Sequence, residues 1–178
     1  MRKKRVFFHK EDKIKLVLTS QEVHNMLPSS LFPLLTALFC AFLAQIIKVP
    51  VHYFRTGQWD PFQAIASGGF PSSHSSTVTA LSVTIGMQEG FDSALFAVTA
   101  VFSIIVMYDA CHVRYYTGKN IEVTQELIKD LQVSGTLSRN NPLYTQKLKT
   151  VLGHKLVEVF GGFILGLLIP FLLAPVFL

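Results

Sequence analysis

The sequence predicts an all-α fold: a polytopic membrane helical bundle of about four spanning helices with an amphipathic surface helix. Composition is the first indication. Half of the 178 residues are hydrophobic, 15% are charged, and the mean hydropathy is +0.42. An ordinary soluble domain has about a quarter of its residues charged. The second is that the apolar residues come in long blocks, close to the roughly 20 residues a spanning helix needs. The third is that the polar residues of the apolar region gather at the ends of those blocks.

Residues 1–29 read as a basic tail and 30–178 as one membrane domain. Seven of the 16 Lys and Arg lie in residues 1–15. A basic end before an apolar segment is a topology signal, and no nucleic-acid-binding motif accompanies it, which argues against a nucleic-acid partner. Ile14, Leu16, Val17 and Leu18 fit either a short helix on the membrane surface or a partly ordered tail. The apolar run begins too late for a signal peptide, and no small-residue cleavage site follows.

The first apolar segment covers 31–47 and continues with Val49 and Val51. Lys48 ends its unbroken run, and Arg55 follows about two helical turns later. Residues 56–72 form a loop, and Trp59, with Tyr53 before it, suits a membrane interface. A second, weaker helix spans 73–88. It mixes Val78, Leu81, Val83 and Ile85 with many Ser and Thr, which suits packing between other helices. A turn at 89–92 leads to a third segment, 93–108.

Residues 111–150 are polar, and Ile121, Leu127, Ile128 and Leu131 recur at near-helical spacing, predicting the amphipathic surface helix. A loop follows at 134–141, and Pro142 is placed to open another helix. The last segment, 156–178, carries Gly161, Gly162 and Gly166. The Gly162-x3-Gly166 spacing permits close helix contact and a homo-oligomer. Cys40 and Cys111 fall at different depths, so no disulfide is expected, and no zinc-ligand spacing is present.

The stretch 68–77 carries the densest chemistry. Gly68 and Gly69 allow close backbone approach. Pro71 is suited to the first turn of a helix, Ser72 and Ser73 are good N-caps, and His74 follows. A capped helix start of this kind favours an anion. An ordinary structural loop has the same composition, so the rest of the chain must decide. If four segments alternate in direction, Lys48 and Arg55, then Ser72, Ser73 and His74, then Asp109, His112 and Arg114, then His154 and Glu158 all fall on one side. Ionisable groups near membrane depth are usually functional.

His154 and Glu158, four apart, would share a helix face. Either Glu158 orients His154 or the two serve separate contacts. Fixed cations, a helix N-terminus and two histidines meet the needs of phosphoryl transfer. Lys and Arg divide seven and nine between the two sides, so charge alone assigns no orientation.

These residues resemble a known family. Lys48-x6-Arg55, then Pro71-Ser72-Ser73-His74, then His154-x3-Glu158 are similar to the signature blocks of the type-2 phosphatidic acid phosphatases and vanadium-dependent haloperoxidases. Together with Tyr108-Asp109-Ala110-Cys111-His112-Val113-Arg114, they look most like the divergent, acid phosphatase/vanadium-dependent haloperoxidase-related branch. The resemblance covers about 30–175.

It implies a cofactor-free and metal-free phosphatase acting on a lipid phosphate or diphosphate, with membrane lipid as its surroundings. His154 would form a phosphohistidine, Glu158 would orient it in place of the usual aspartate, and His74 would protonate the leaving group. Lys48, Arg55, Ser72 and Ser73 would hold phosphate. Thr56 stands where the family has proline and Ser73 where it has glycine. Lys147 and Leu148 occupy the places of the usual Ser-Arg pair. Arg114, held by Asp109, is expected to replace that arginine. Two other readings stay open: a non-catalytic membrane protein that binds a phosphorylated ligand, and a metal site from His52, His74, His112 and His154.

Overall fold

A computed structural model describes residues 29–137, 144 and 153–178. The expected N-terminal surface helix, residues 138–141 of the expected loop and nearly all of the helix opened by Pro142 lie outside the described residues. Among the described residues, five α-helices are defined: α1 Phe32–Thr56, α2 Ser73–Glu89, α3 Ala94–Tyr108, α4 Arg114–Val133 and α5 Leu156–Phe177. Among the described residues there is no strand.

Helix α1 does not stop at Lys48. It runs through Pro50 to Thr56 and closes on Gly57, whose φ of 73° lets its N–H reach the Tyr53 carbonyl at 2.8 Å. The apolar run ends there because Lys48 is charged, but the helix continues because Lys48 faces inward, at 3% exposed.

Helix α2 is the centre of the bundle. Eleven of its seventeen residues are buried, most of them Ser, Thr, Ala or Gly, and α1, α3 and α5 pack around it. Small side chains bring the neighbours close. A Cβ on Gly162 would strike the Ser72 carbonyl oxygen, and one on Gly166 the Ser76 carbonyl oxygen. The Gly162-x3-Gly166 motif therefore serves contact within the chain. Two hydroxyls of α2 find partners on neighbouring helices: Ser76 Oγ donates to the Cys40 carbonyl at 3.3 Å, and Ser82 and Ser103 pair at 2.7 Å. Ser103 also lies 2.8 Å from the Val78 carbonyl.

Among the described residues, three helical stretches are long and apolar enough to cross a membrane: Ser29–Thr56, Ala94–Val133 and Leu156–Phe177. Helix α2 is shorter and is enclosed by them. The third segment and the surface helix, expected as separate elements, form one 40-residue rod. No Gly or Pro interrupts it at the junction. A π turn at Asp109–Val113 takes up the join instead. At the far end of the bundle, Phe32 stacks on Phe177 with centroids 5.1 Å apart.

Candidate functional site

One end of the bundle collects the starts of α2 and α5, the π turn and the inner face of α1. Ser72 caps α2 through its side chain, which accepts the Ser75 N–H at 3.4 Å. Pro71 thus lies before the cap and not in the first helical turn. The Ser72 N–H donates to the Glu158 carbonyl at 2.9 Å, tying the loop to α5. Gly69 has a φ of 94°, and its open side faces the Lys48 stem at ordinary contact distance. Its glycine is required by backbone conformation.

His154 precedes α5, whose N-cap is Lys155. The expectation that His154 and Glu158 share a helix face is therefore wrong in its geometry, although the two do meet. Glu158 folds back over the helix start, as in a capping box. Its Oε2 accepts the Lys155 N–H at 3.2 Å and lies 3.0 Å from His154 Nδ1. The Gly69 N–H also faces this carboxylate. The His154 N–H donates to the Ala110 carbonyl in the π turn at 2.9 Å. Backbone and ring are both held, and the ring is 1% exposed.

With Nδ1 facing a carboxylate, the favoured tautomer places the proton there and leaves the Nε2 lone pair free. His154 Nε2 is buried and has no hydrogen-bond partner among the described residues.

His74, in the first turn of α2, packs edge to face on His154, with centroids 5.7 Å apart. It is exposed and lines a cavity of about 370 Å³ with Gln45, Ala66, Ser73 and Arg114. Arg114 is paired through Nε with Asp109. The π turn makes that pair possible. In a regular α-helix, residues five apart point about 140° away from each other; here the Arg114 N–H bonds to the Asp109 carbonyl and the two share a face. Lys48 lies beneath the loop, donates from Nζ to the Ala66 carbonyl at 3.0 Å, and feels the charge of Glu158.

Arg55 does not join this group. It lines a second cavity, of about 350 Å³, with Lys48, His52, Gln63 and Gly69. Nor do the four histidines converge. His52 is in that second cavity, and His112 stacks on Tyr108 and meets Tyr116 edge to face, each at 4.9 Å. Among the described residues, no three His, Cys, Asp or Glu side chains are grouped to hold a metal. An apolar groove of about 420 Å³, lined by Met107, Leu156, Val157, Val159, Phe160 and Phe163, starts two residues past His154.

Spacing alone could not reveal the π turn, the Ala110 carbonyl that anchors His154, or the contact between the two histidines. The first is a backbone detail that hydropathy does not mark, and the other two are made between elements remote in sequence.

The chain matches the model of the family described as "Divergent PAP2 family" over residues 30–169. The chain belongs to this family. A membrane protein of Bacillus subtilis (strain 168), called uncharacterized membrane protein YuiD, is 39% identical over 152 residues, covering 83% of this chain and 96% of that protein. No solved structure matches the chain. Three apolar helices and a relative named as a membrane protein make this a multi-pass integral membrane protein. The Divergent PAP2 match takes in every residue of the cluster from Lys48 to Glu158.

Proposed function

We propose that the protein is a metal-independent phosphatase that removes phosphate from a lipid phosphate or diphosphate through a phosphohistidine on His154. The observation that carries this reading is the buried, unpartnered Nε2 of His154, on a ring whose other nitrogen is held by Glu158. The Nε2 lone pair attacks phosphorus, and the bond from phosphorus to the lipid oxygen breaks. His74 gives its proton to that leaving oxygen. Water then attacks the phosphohistidine, His74 takes the proton, and phosphate leaves. Arg114, Lys48, Ser73 and the unpaired N–H groups of the α2 first turn balance the phosphate charge. The groove beside His154 suits the lipid chain.

The test is phosphate release by detergent-purified protein from phosphatidic acid and from an isoprenyl diphosphate. Activity that survives EDTA, is blocked by vanadate and disappears in His154→Ala is expected. Loss of activity with EDTA, or full activity in His154→Ala, overturns the proposal. The burial of His154 favours one rival, a protein that binds a phosphorylated lipid without turnover. Binding with neither phosphate release nor a trapped phosphohistidine would establish that rival.

A further inference from the structure

Gln45 is an amide in the apolar run of α1, one turn before Lys48 and on the same face. Phe42 and Ile46 beside it are exposed, whereas Gln45 is half-buried. A glutamine inside a spanning helix ordinarily hydrogen-bonds across to a neighbouring helix. Gln45 does not: its Oε1 is buried and has no hydrogen-bond partner among the described residues. Burying an acceptor without a donor is costly, so this oxygen calls for a donor from outside the described residues. Of the side chains with such an unpartnered buried atom, Gln45 alone lines the cavity of about 370 Å³ into which His74 faces.

One step of the reaction needs an acceptor there. To open the phosphohistidine, a water must bring its lone pair onto phosphorus. One of its O–H groups points to His74, which takes that proton. The other O–H also needs an acceptor if the water is to be held in line. The remaining polar side chains around the cavity are ill suited to that task. Arg114 can only donate. Ser73 is engaged with phosphate in the proposed reaction. Ser67 and Thr117 are exposed, and Thr117 Oγ1 already donates to the Val113 carbonyl at 2.8 Å. A carboxamide is a neutral acceptor: it does not repel the phosphoryl group as a carboxylate would, and it does not compete with His74 for the proton. Glutamine orients the attacking water in other phosphoryl-transfer enzymes.

We propose that Gln45 positions the water that hydrolyses the phosphohistidine, its Oε1 accepting one O–H of that water while His74 accepts the other. The terminal amide turns readily about its last bond, so the oxygen can be brought round to the cavity that the side chain lines. The bond from the water oxygen to phosphorus forms and the bond from phosphorus to His154 Nε2 breaks, returning its electron pair to the ring. One water proton passes to His74 and the other leaves with phosphate. Gln45 itself takes no proton. The inference rests on the phosphatase reading and adds a residue to its second step.

Gln45→Met keeps the size of the side chain and removes the acceptor. Detergent-purified parent and variant are given whichever of phosphatidic acid and isoprenyl diphosphate the parent hydrolyses, radiolabelled on the terminal phosphate. The reaction is stopped in alkaline detergent, which preserves phosphohistidine, and protein-bound label is counted. Loss of label from His154 should be about 100-fold slower in Gln45→Met, as for a misplaced reactant. Phosphohistidine should then accumulate and kcat should fall. The ratio kcat/KM should stay within about threefold, because it reports only the steps up to release of the lipid alcohol. The variant should melt no lower than the parent, since it loses an unpartnered buried acceptor.

Turnover at the parent rate in Gln45→Met overturns the proposal. So does an equal fall in kcat and kcat/KM without accumulation of phosphohistidine, which would move Gln45 to the first step. If Gln45→Met folds poorly, Gln45→Leu is read in the same way, and loss of the fold in both would make the amide structural and also overturn it. A parent that releases no phosphate refutes the phosphatase reading and this inference with it. A parent that turns over alongside an equally active variant refutes this inference alone.

Discussion

Two adjacent glycines on α5 should respond unequally to the same substitution. A Cβ at Gly162 would run into the Ser72 backbone carbonyl, with the Ser75 side chain close behind. That carbonyl accepts the Ser76 N–H at 3.1 Å, and the Ser72 N–H is bonded to Glu158, so it has little freedom to move. Gly162→Ala must push α5 away from α2. Overpacking of this kind costs about 3 kcal/mol at the upper end, and replacing a helical glycine by alanine returns about 1 kcal/mol, leaving a net loss of about 2 kcal/mol.

At Gly161 the obstacle is the far end of the Phe70 ring. That ring can turn, at a cost of about 1 kcal/mol, which cancels the gain in helix propensity. Gly161→Ala should therefore be close to neutral. Thermal unfolding in detergent should show Gly162→Ala melting roughly 4–8 °C lower, with Gly161→Ala within about 2 °C of the parent. Equal melting of the two variants would refute the close packing of α5 on the start of α2.

Other consequences concern the site itself. Glu158→Gln should lower phosphate release by at least about 100-fold, as for loss of an orienting carboxylate beside a histidine, while still binding substrate; activity within a few-fold of the parent would remove Glu158 from that role. The Asp109 and Arg114 side chains are well exposed, so Asp109→Asn should change stability by less than about 0.5 kcal/mol. Arg114→Ala should nevertheless lower phosphate release by about tenfold or more, and normal activity in that variant would exclude Arg114 from phosphate binding. His74→Ala should speed carbethoxylation of the buried His154 by diethylpyrocarbonate, mapped by mass spectrometry, and an unchanged rate would show that His74 does not shield it. Ser103→Val removes the partner of Ser82 within the bundle and should cost about 1 kcal/mol on thermal unfolding; an unchanged melting temperature would show that this bond contributes nothing.

The sequence by itself determined the membrane class and the order of the main segments, and it grouped the polar ends of those segments on one common side. Those properties follow from length, hydropathy and alternation of direction, which are local or simply additive. It marked Ser72 as a cap and α2 as an inner helix, because small and hydroxylated residues are poor partners for lipid but good ones for other helices. Its three motif blocks identified the family that the comparison then showed.

What tertiary structure alone decided is how the groups face one another. The π turn that swings Arg114 onto Asp109 leaves no mark in hydropathy. Helical spacing gave the wrong reason for the meeting of His154 and Glu158, since the contact depends on a cap that folds back onto a residue outside the helix. Lys48 and Arg55 look equivalent as basic residues on one helix, yet the loop at Ala66 and Gly69 assigns them different neighbours. The stretch 68–77 was legible as a helix start able to face an anion. That its cap lies against Glu158, and its His74 against His154, depends on α5 approaching α2 at two glycines, a contact between segments some 90 residues apart.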